Sequence, residues 1–65
     1  MIIKTKVETK RGAMRTVYYK YMGTNGKPML GSKRDAASFD YKMAEKVLSH
    51  LKVIDHRFVD AVMVD

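Results

Sequence analysis

The dipeptide Asn25-Gly26 joins a run from Thr16 to Met22 to a second run from Lys27 to Gly31. A two-residue type I′ hairpin turn needs φ > 0 at both central positions, and Asn followed by Gly meets that demand at least steric cost. Such a turn predicts a register, with Thr24 opposite Lys27, Met22 opposite Met29 and Tyr21 opposite Leu30. Side chains alternate along a strand. Val17, Tyr19, Tyr21 and Leu30 are therefore expected on one face, and Tyr18, Lys20, Met22 and Met29 on the other. The first face reads as core and the second as a binding surface.

The segments on either side extend this hairpin into a sheet. Ile3, Thr5, Val7 and Thr9 alternate with Ile2, Lys4, Lys6, Glu8 and Lys10, the pattern of a half-buried strand. Lys10-Arg11-Gly12-Ala13 is a turn in which Gly12 supplies a positive φ. A second strand follows over Met14 to Met22. Pro28 has no amide hydrogen to give, so the third strand is expected at an edge. Ser32 to Asp35 reads as polar connection, and Ala36-Ala37-Ser38 as a single helical turn.

Asp40 is a good N-cap, with Phe39 placed as a hydrophobic staple. Ala44, Val47, Leu48 and Leu51 then recur at i, i+3, i+4, i+7, one apolar stripe of a helix. Lys42, Glu45, Lys46, Ser49 and His50 form its solvated side. After Val53 to His56, the stretch Arg57 to Val64 reads as a last strand because of its length and β-branched content. Val59, Ala61 and Met63 would lie on one side of it, and Phe58, Val62 and Val64 on the other. One helix covers one face of a sheet, so the second apolar side is expected either on a partner or homodimer mate, or in a strand that ends early.

The predicted fold class is α+β: a β-β-β-α-β order forming a mainly antiparallel four-stranded sheet covered on one face by a single helix. A last strand parallel to the first and third is expected, beside strand one in the spatial order 4-1-2-3, with 1-2-3-4 as the alternative. The 65 residues are expected to make one domain, 1–65. A chain this short buries only roughly 60% of its unfolded surface, so self-association or a partner is a natural complement. Cysteine is absent, so neither disulfides nor thiolate metal sites reinforce the core. No apolar leader or membrane-spanning run is evident, and a soluble, cytoplasmic protein with no membrane partner is expected.

The net charge of +6 is unevenly spread. Residues 1–34 hold nine Lys or Arg and one acid, a balance of +8, whereas residues 35–65 hold four and six, a balance of −2. The basic half is the hairpin region, and such a field attracts polyanions or acidic protein surfaces.

No catalytic constellation is expected. His50 and His56 do not have the i, i+4 spacing of a helical metal site, Asp55-His56 are adjacent residues that seldom converge, and Ser32 and Ser38 lack a motif base. The glycines are too scattered for a phosphate loop. A protein with no metal, no cofactor and no enzymatic activity is expected.

The pattern that remains is a surface. Lys4, Lys6, Lys10, Tyr18 and Lys20 are placed on the face away from the helix, with Arg15 and Lys27 near its margins. Lysines neutralise phosphates and tyrosine stacks on unpaired bases, so nucleic acid is one candidate partner. Met14, Met22 and Met29 share that predicted face, and adaptable thioethers with tyrosine are common where proteins meet.

Two resemblances meet at these residues. The run Tyr18-Tyr19-Lys20-Tyr21, Asn25-Gly26-Lys27-Pro28, Leu30-Gly31 and then Ala36 to Ala44 resembles the arm-type DNA-binding domain of tyrosine recombinases over about residues 14–48. That resemblance implies a three-stranded sheet in the major groove, with contacts from Arg15, Tyr18, Lys20 and Lys27. The terminal strand departs from it. The Tyr-rich hairpin around Asn25-Gly26-Lys27, followed by Leu30, Ala36, Phe39, Ala44 and Glu45, is similar to short early or accessory proteins of tailed phages. This second resemblance implies a protein of the host cytoplasm that inhibits or redirects a host protein, or a nucleic-acid-processing or defence complex. Its docking face would be Lys4, Lys6, Met14, Arg15, Tyr18, Lys20, Met22, Lys27 and Met29; the alternative is a DNA-binding module using the same sheet.

Overall fold

In the computed structural model, which describes residues 1–65, both hairpins close in the same way. The Thr9 N–H donates to the Ala13 carbonyl and the Gly12 N–H to the Thr9 carbonyl; Gly23 with Lys27, and Gly26 with Gly23, repeat the pattern. Gly12 at φ 80° and Gly26 at φ 78° are the only residues in the left-handed region. Each loop is thus a type I turn followed by a left-handed glycine, the usual three-residue hairpin connection. This corrects the expected two-residue type I′ turn. Asn25 keeps a negative φ because its side chain offers a cheaper solution: Oδ1 accepts from the Lys27 N–H at 3.0 Å.

The longer loop changes the pairing. β2 (Met14–Met22) runs antiparallel to β3 (Pro28–Gly31), with Met22 opposite Pro28, Tyr21 opposite Met29 and Tyr19 opposite Leu30. A bulge at Lys20 adds a second step to the register. Tyr21 therefore leaves the core face where it was expected and is 54% exposed, while Met22 is carried to the side of the buried Pro28. β3 is an edge strand, as the proline required.

β1 (Ile2–Glu8) pairs antiparallel with β2, and β4 (Val62–Val64) adds to the other side of β1, completing the sheet order β3-β2-β1-β4. All pairings are antiparallel, including β4 with β1. A last strand parallel to β1 was expected, and the cause of the difference lies in residues 32–40. After a 3-10 turn at Lys33–Asp35, this extended segment makes the return crossing itself: the Ala37 N–H donates to the Tyr19 carbonyl, and Phe39 exchanges main-chain bonds with Met1. Ala36 to Ser38 form no helical turn. Helix α1 (Tyr41–Ile54) consequently starts beside the beginning of β1, runs in the sense of β1, and delivers β4 in the opposite sense.

Asp40 caps α1 as its sequence predicted, accepting from the Met43 N–H at 2.8 Å. The stripe of Ala44, Val47, Leu48 and Leu51 faces the sheet, with Ala44 and Leu51 fully buried. The expected strand over Arg57–Val64 is shorter than its composition implied. Residues His56–Phe58 form a 3-10 turn, because Asp55 caps it through the Arg57 N–H and the Asp55 carbonyl receives the Phe58 N–H. Phe58 is thereby driven inward instead of alternating along a strand. It is completely buried among Ile3, Tyr19, Leu51 and Ala61, and meets the Tyr19 ring edge-on at 6.4 Å. Phe39 stacks on the same ring at 6.3 Å, and burial pushes the Tyr19 hydroxyl pKa up. The two apolar sides foreseen for the last strand are thus divided: Phe58 and Ala61 enter the core, while Val59 and Val62 are exposed.

Phe58→Ala leaves a cavity at the centre of the only core cluster and should cost about 3–5 kcal/mol. In a chain this small that unfolds most of the population at 37 °C, as thermal denaturation by circular dichroism would register.

The Asp55 carboxylate accepts from Arg57 Nε and Nη2, at 2.6 Å in the closest contact. That side-chain bonding holds its pKa below the usual carboxylate value. A lowered folded-state pKa means stability that is complete above the unfolded carboxylate range and is lost as pH falls through the folded value. Arg57 is partly exposed, so Asp55→Ala is expected to cost only about 1–2 kcal/mol near neutrality. The difference from wild type should vanish in denaturant titrations at low pH; a constant difference would rule out the linkage.

Candidate binding face on the open side of the sheet

The helix covers the side of the sheet that carries Ile3 and Tyr19, leaving the opposite face open. Register places Val62, Lys4, Tyr18 and Gly31 in one row across it. Lys6 opposite Thr16, then Glu8 opposite Met14, continue the face towards the first hairpin loop. Towards the second loop lie Lys20, Tyr21 and Met29.

The Lys20 bulge organises the central part of this face. With the extra residue, Lys20 and Tyr21 both point outward, and Lys20 Nζ sits 5.6 Å from the centre of the Tyr21 ring. The stem of Lys20 lies flat across Gly31, where a Cβ would come within 2.5 Å of its Cδ. Glycine at 31 is therefore what lets a long cation rest on the sheet instead of standing off it.

Of the residues expected on the docking face, Lys4, Lys6, Tyr18, Lys20 and Met29 are brought together. Met14 lies at the far end of the face and is 62% exposed. Arg15 pairs with Val7 and so belongs to the helix side, which corrects its expected place at the margin of the open face. Met22 is removed to the side of Pro28 by the register change, and Lys27 is held in the loop by Asn25. The expected methionine cluster is dispersed. Tyr21 was missed, since its outward position depends on a bulge that strand alternation conceals. The available signal is Gly31, a residue with no side chain beside a strand of long ones.

Asp55–Arg57 is the only ion pair in the structure, so Lys4, Lys6 and Lys20 have no carboxylate within salt-bridge distance. The face is positive, with Glu8 near its far end as the one acid of the first 34 residues. The Asp55 carboxylate is hydrogen-bonded by Arg57, and no hydrogen bond joins it to His56. No group of three His, Asp or Glu side chains converges on a point. No helix is long and apolar enough to cross a membrane.

Comparison with protein-family models, with curated proteins and with solved structures finds no match to this chain.

Gly31→Ala should shift Lys20 without unfolding the protein, because the group that must give way is a flexible side chain. Aliphatic proton shifts of Lys20 are expected to lose the upfield displacement caused by the Tyr21 ring, with a stability change within about 1 kcal/mol. Unchanged Lys20 shifts would contradict the described packing.

Proposed function

We propose that this protein is a non-enzymatic binding module that docks the open face of its sheet on a host protein or protein–nucleic acid complex, and thereby inhibits or redirects it. Such an activity is steric and electrostatic, in keeping with the resemblance to short accessory proteins of tailed phages. The carrying observation is the set of Lys4, Lys6 and Lys20 around Tyr18 and Tyr21, cations without carboxylate partners beside aromatic rings on an uncovered face. Aromatic rings offer rigid contact area at low entropic cost, and free lysines steer an acidic surface into register. Tyr21 replaces Met22 in this reading, because the bulge carries Tyr21 to the open face and Met22 to the side of Pro28.

A second reading, DNA binding by the same sheet, is favoured by the same unpaired lysines, since the phosphate backbone rewards that arrangement without further demands. The two readings differ in their response to salt. If Lys4, Lys6 and Lys20 contact phosphates, the log–log slope of affinity against salt should be about −3, following the release of roughly one counterion per contact. No detectable DNA binding at about 50 mM salt would exclude that reading.

Affinity capture from nuclease-treated host lysate tests the first. Tyr18→Ala with Tyr21→Ala should weaken capture at least tenfold, equivalent to about 1.4 kcal/mol or more, while circular dichroism remains that of the folded protein. Capture by the folded double variant at wild-type strength would overturn the assignment of the face.

A further inference from the structure

We infer that a second copy of this chain pairs with the uncovered edge of β1, antiparallel, between Lys6 and Glu8. In the β1–β2 ladder the Thr9 N–H donates to the Ala13 carbonyl. The alternation of an antiparallel ladder then directs the main-chain groups of Val7 and Thr5 to β2, and those of Lys6 and Glu8 to the opposite side. β4 covers that side only as far as Lys4, which pairs with Val62. Beyond it lies an open groove of about 730 Å³, bounded by β1 and by residues 56–62. The N–H and C=O groups of Lys6 and Glu8 thus form a short unpaired edge, the kind of edge that accepts another strand.

Charge makes the edge complementary to itself in one register. Antiparallel pairing about a two-fold axis brings the outward-directed residues together as Lys6 on Lys6, Glu8 on Glu8, or Lys6 on Glu8. The first two set like charges directly opposite, which is unfavourable in a sheet. The third makes the edge self-complementary, with two Lys–Glu pairs on the open face and Val7 against Val7 at the axis on the helix side. The length also fits: Lys10 begins the hairpin loop, so the second copy's strand leaves the ladder before it would meet Val62 beside Lys4. Pairing in this register joins the two sheets edge to edge and sets two copies of the Lys4, Tyr18, Lys20 and Tyr21 surface side by side. The inference stands whatever that surface binds.

Sedimentation velocity over about 10 µM to 1 mM should show a reversible monomer–dimer equilibrium, since an edge this short buries less than a standard interface. In the wild-type protein, amide signals of Lys6, Val7 and Glu8 should move with concentration. Lys6→Glu and Glu8→Lys, both at exposed positions, should each weaken dimerisation at least tenfold with the circular dichroism of the folded chain retained. The double exchange should restore the dimer, and a mixture of the two single variants should form a heterodimer. A strict monomer throughout, concentration-dependent shifts confined to other residues, or a dimer indifferent to both single reversals would overturn the proposal. So would a folded double exchange that stays monomeric.

Discussion

The clasp between Asp55 and Arg57 sets the path by which the chain passes from the helix into the core and the last strand. Asp55 ends the helix, accepts both the main-chain N–H and the guanidinium of Arg57, and so starts the 3-10 turn. The Arg57 carbonyl takes the hydroxyl of the buried Thr5 at 2.6 Å, and its guanidinium donates to the Pro28 carbonyl at 3.2 Å. A single residue thus ties the helix end to β1 and to the second hairpin. The turn it shapes places Phe58 at the centre of the core and returns the chain as β4. In a protein with no disulfide and few fully buried side chains, such local hydrogen bonding decides where the hydrophobic groups go.

The division of labour between the two faces follows from that core. Tyr19, Ile3, Leu51 and Phe58 occupy the helix side of the sheet, and the outward residues of β1 and β2 lie half-buried or exposed on the face the helix does not cover. Lys4, Lys6 and Lys20 against the single Glu8 make that face positive, and the opposing charge of the chain sits largely in its second half. The outcome is a face whose lysines have no carboxylate partner, on a platform fixed by an antiparallel ladder. A rigid backbone carrying free cations and two tyrosines is already organised for contact, which lowers the ordering cost of docking.

Much of this architecture was legible because it rests on local rules. Alternation marked β1 and β2, the 3.6-residue stripe and Asp40 marked the helix, Gly12 marked the first turn, and the missing amide of Pro28 marked an edge. What escaped were choices between nearly equivalent solutions. Asn25 can supply a left-handed φ or a side-chain acceptor, and it takes the second, which shifts the register. A bulge at Lys20 leaves no periodic trace, because one extra residue only exchanges one apolar side chain for another, Tyr21 for Met22. The Arg57–Val64 stretch is β-branched enough for a full strand, yet the capping of Asp55 claims its first residues. The sense of β4 depended on residues 36–40 making the crossing in extended form after the 3-10 turn, a tertiary arrangement that composition does not encode. These differences account for the candidate face as well: Lys4, Lys6, Tyr18 and Lys20 survive from the alternation, while Arg15 and Met22 leave and Tyr21 enters through register alone.

The central claim is that the open face, and not the helix, meets the partner. Chemical-shift mapping of the isotope-labelled protein, titrated with the partner it captures from cell lysate, tests it most directly. The expected result is a set of perturbations concentrated at Lys4, Tyr18, Lys20 and Tyr21. Perturbations concentrated on the solvated side of α1, at Lys42, Lys46 and His50, would contradict it.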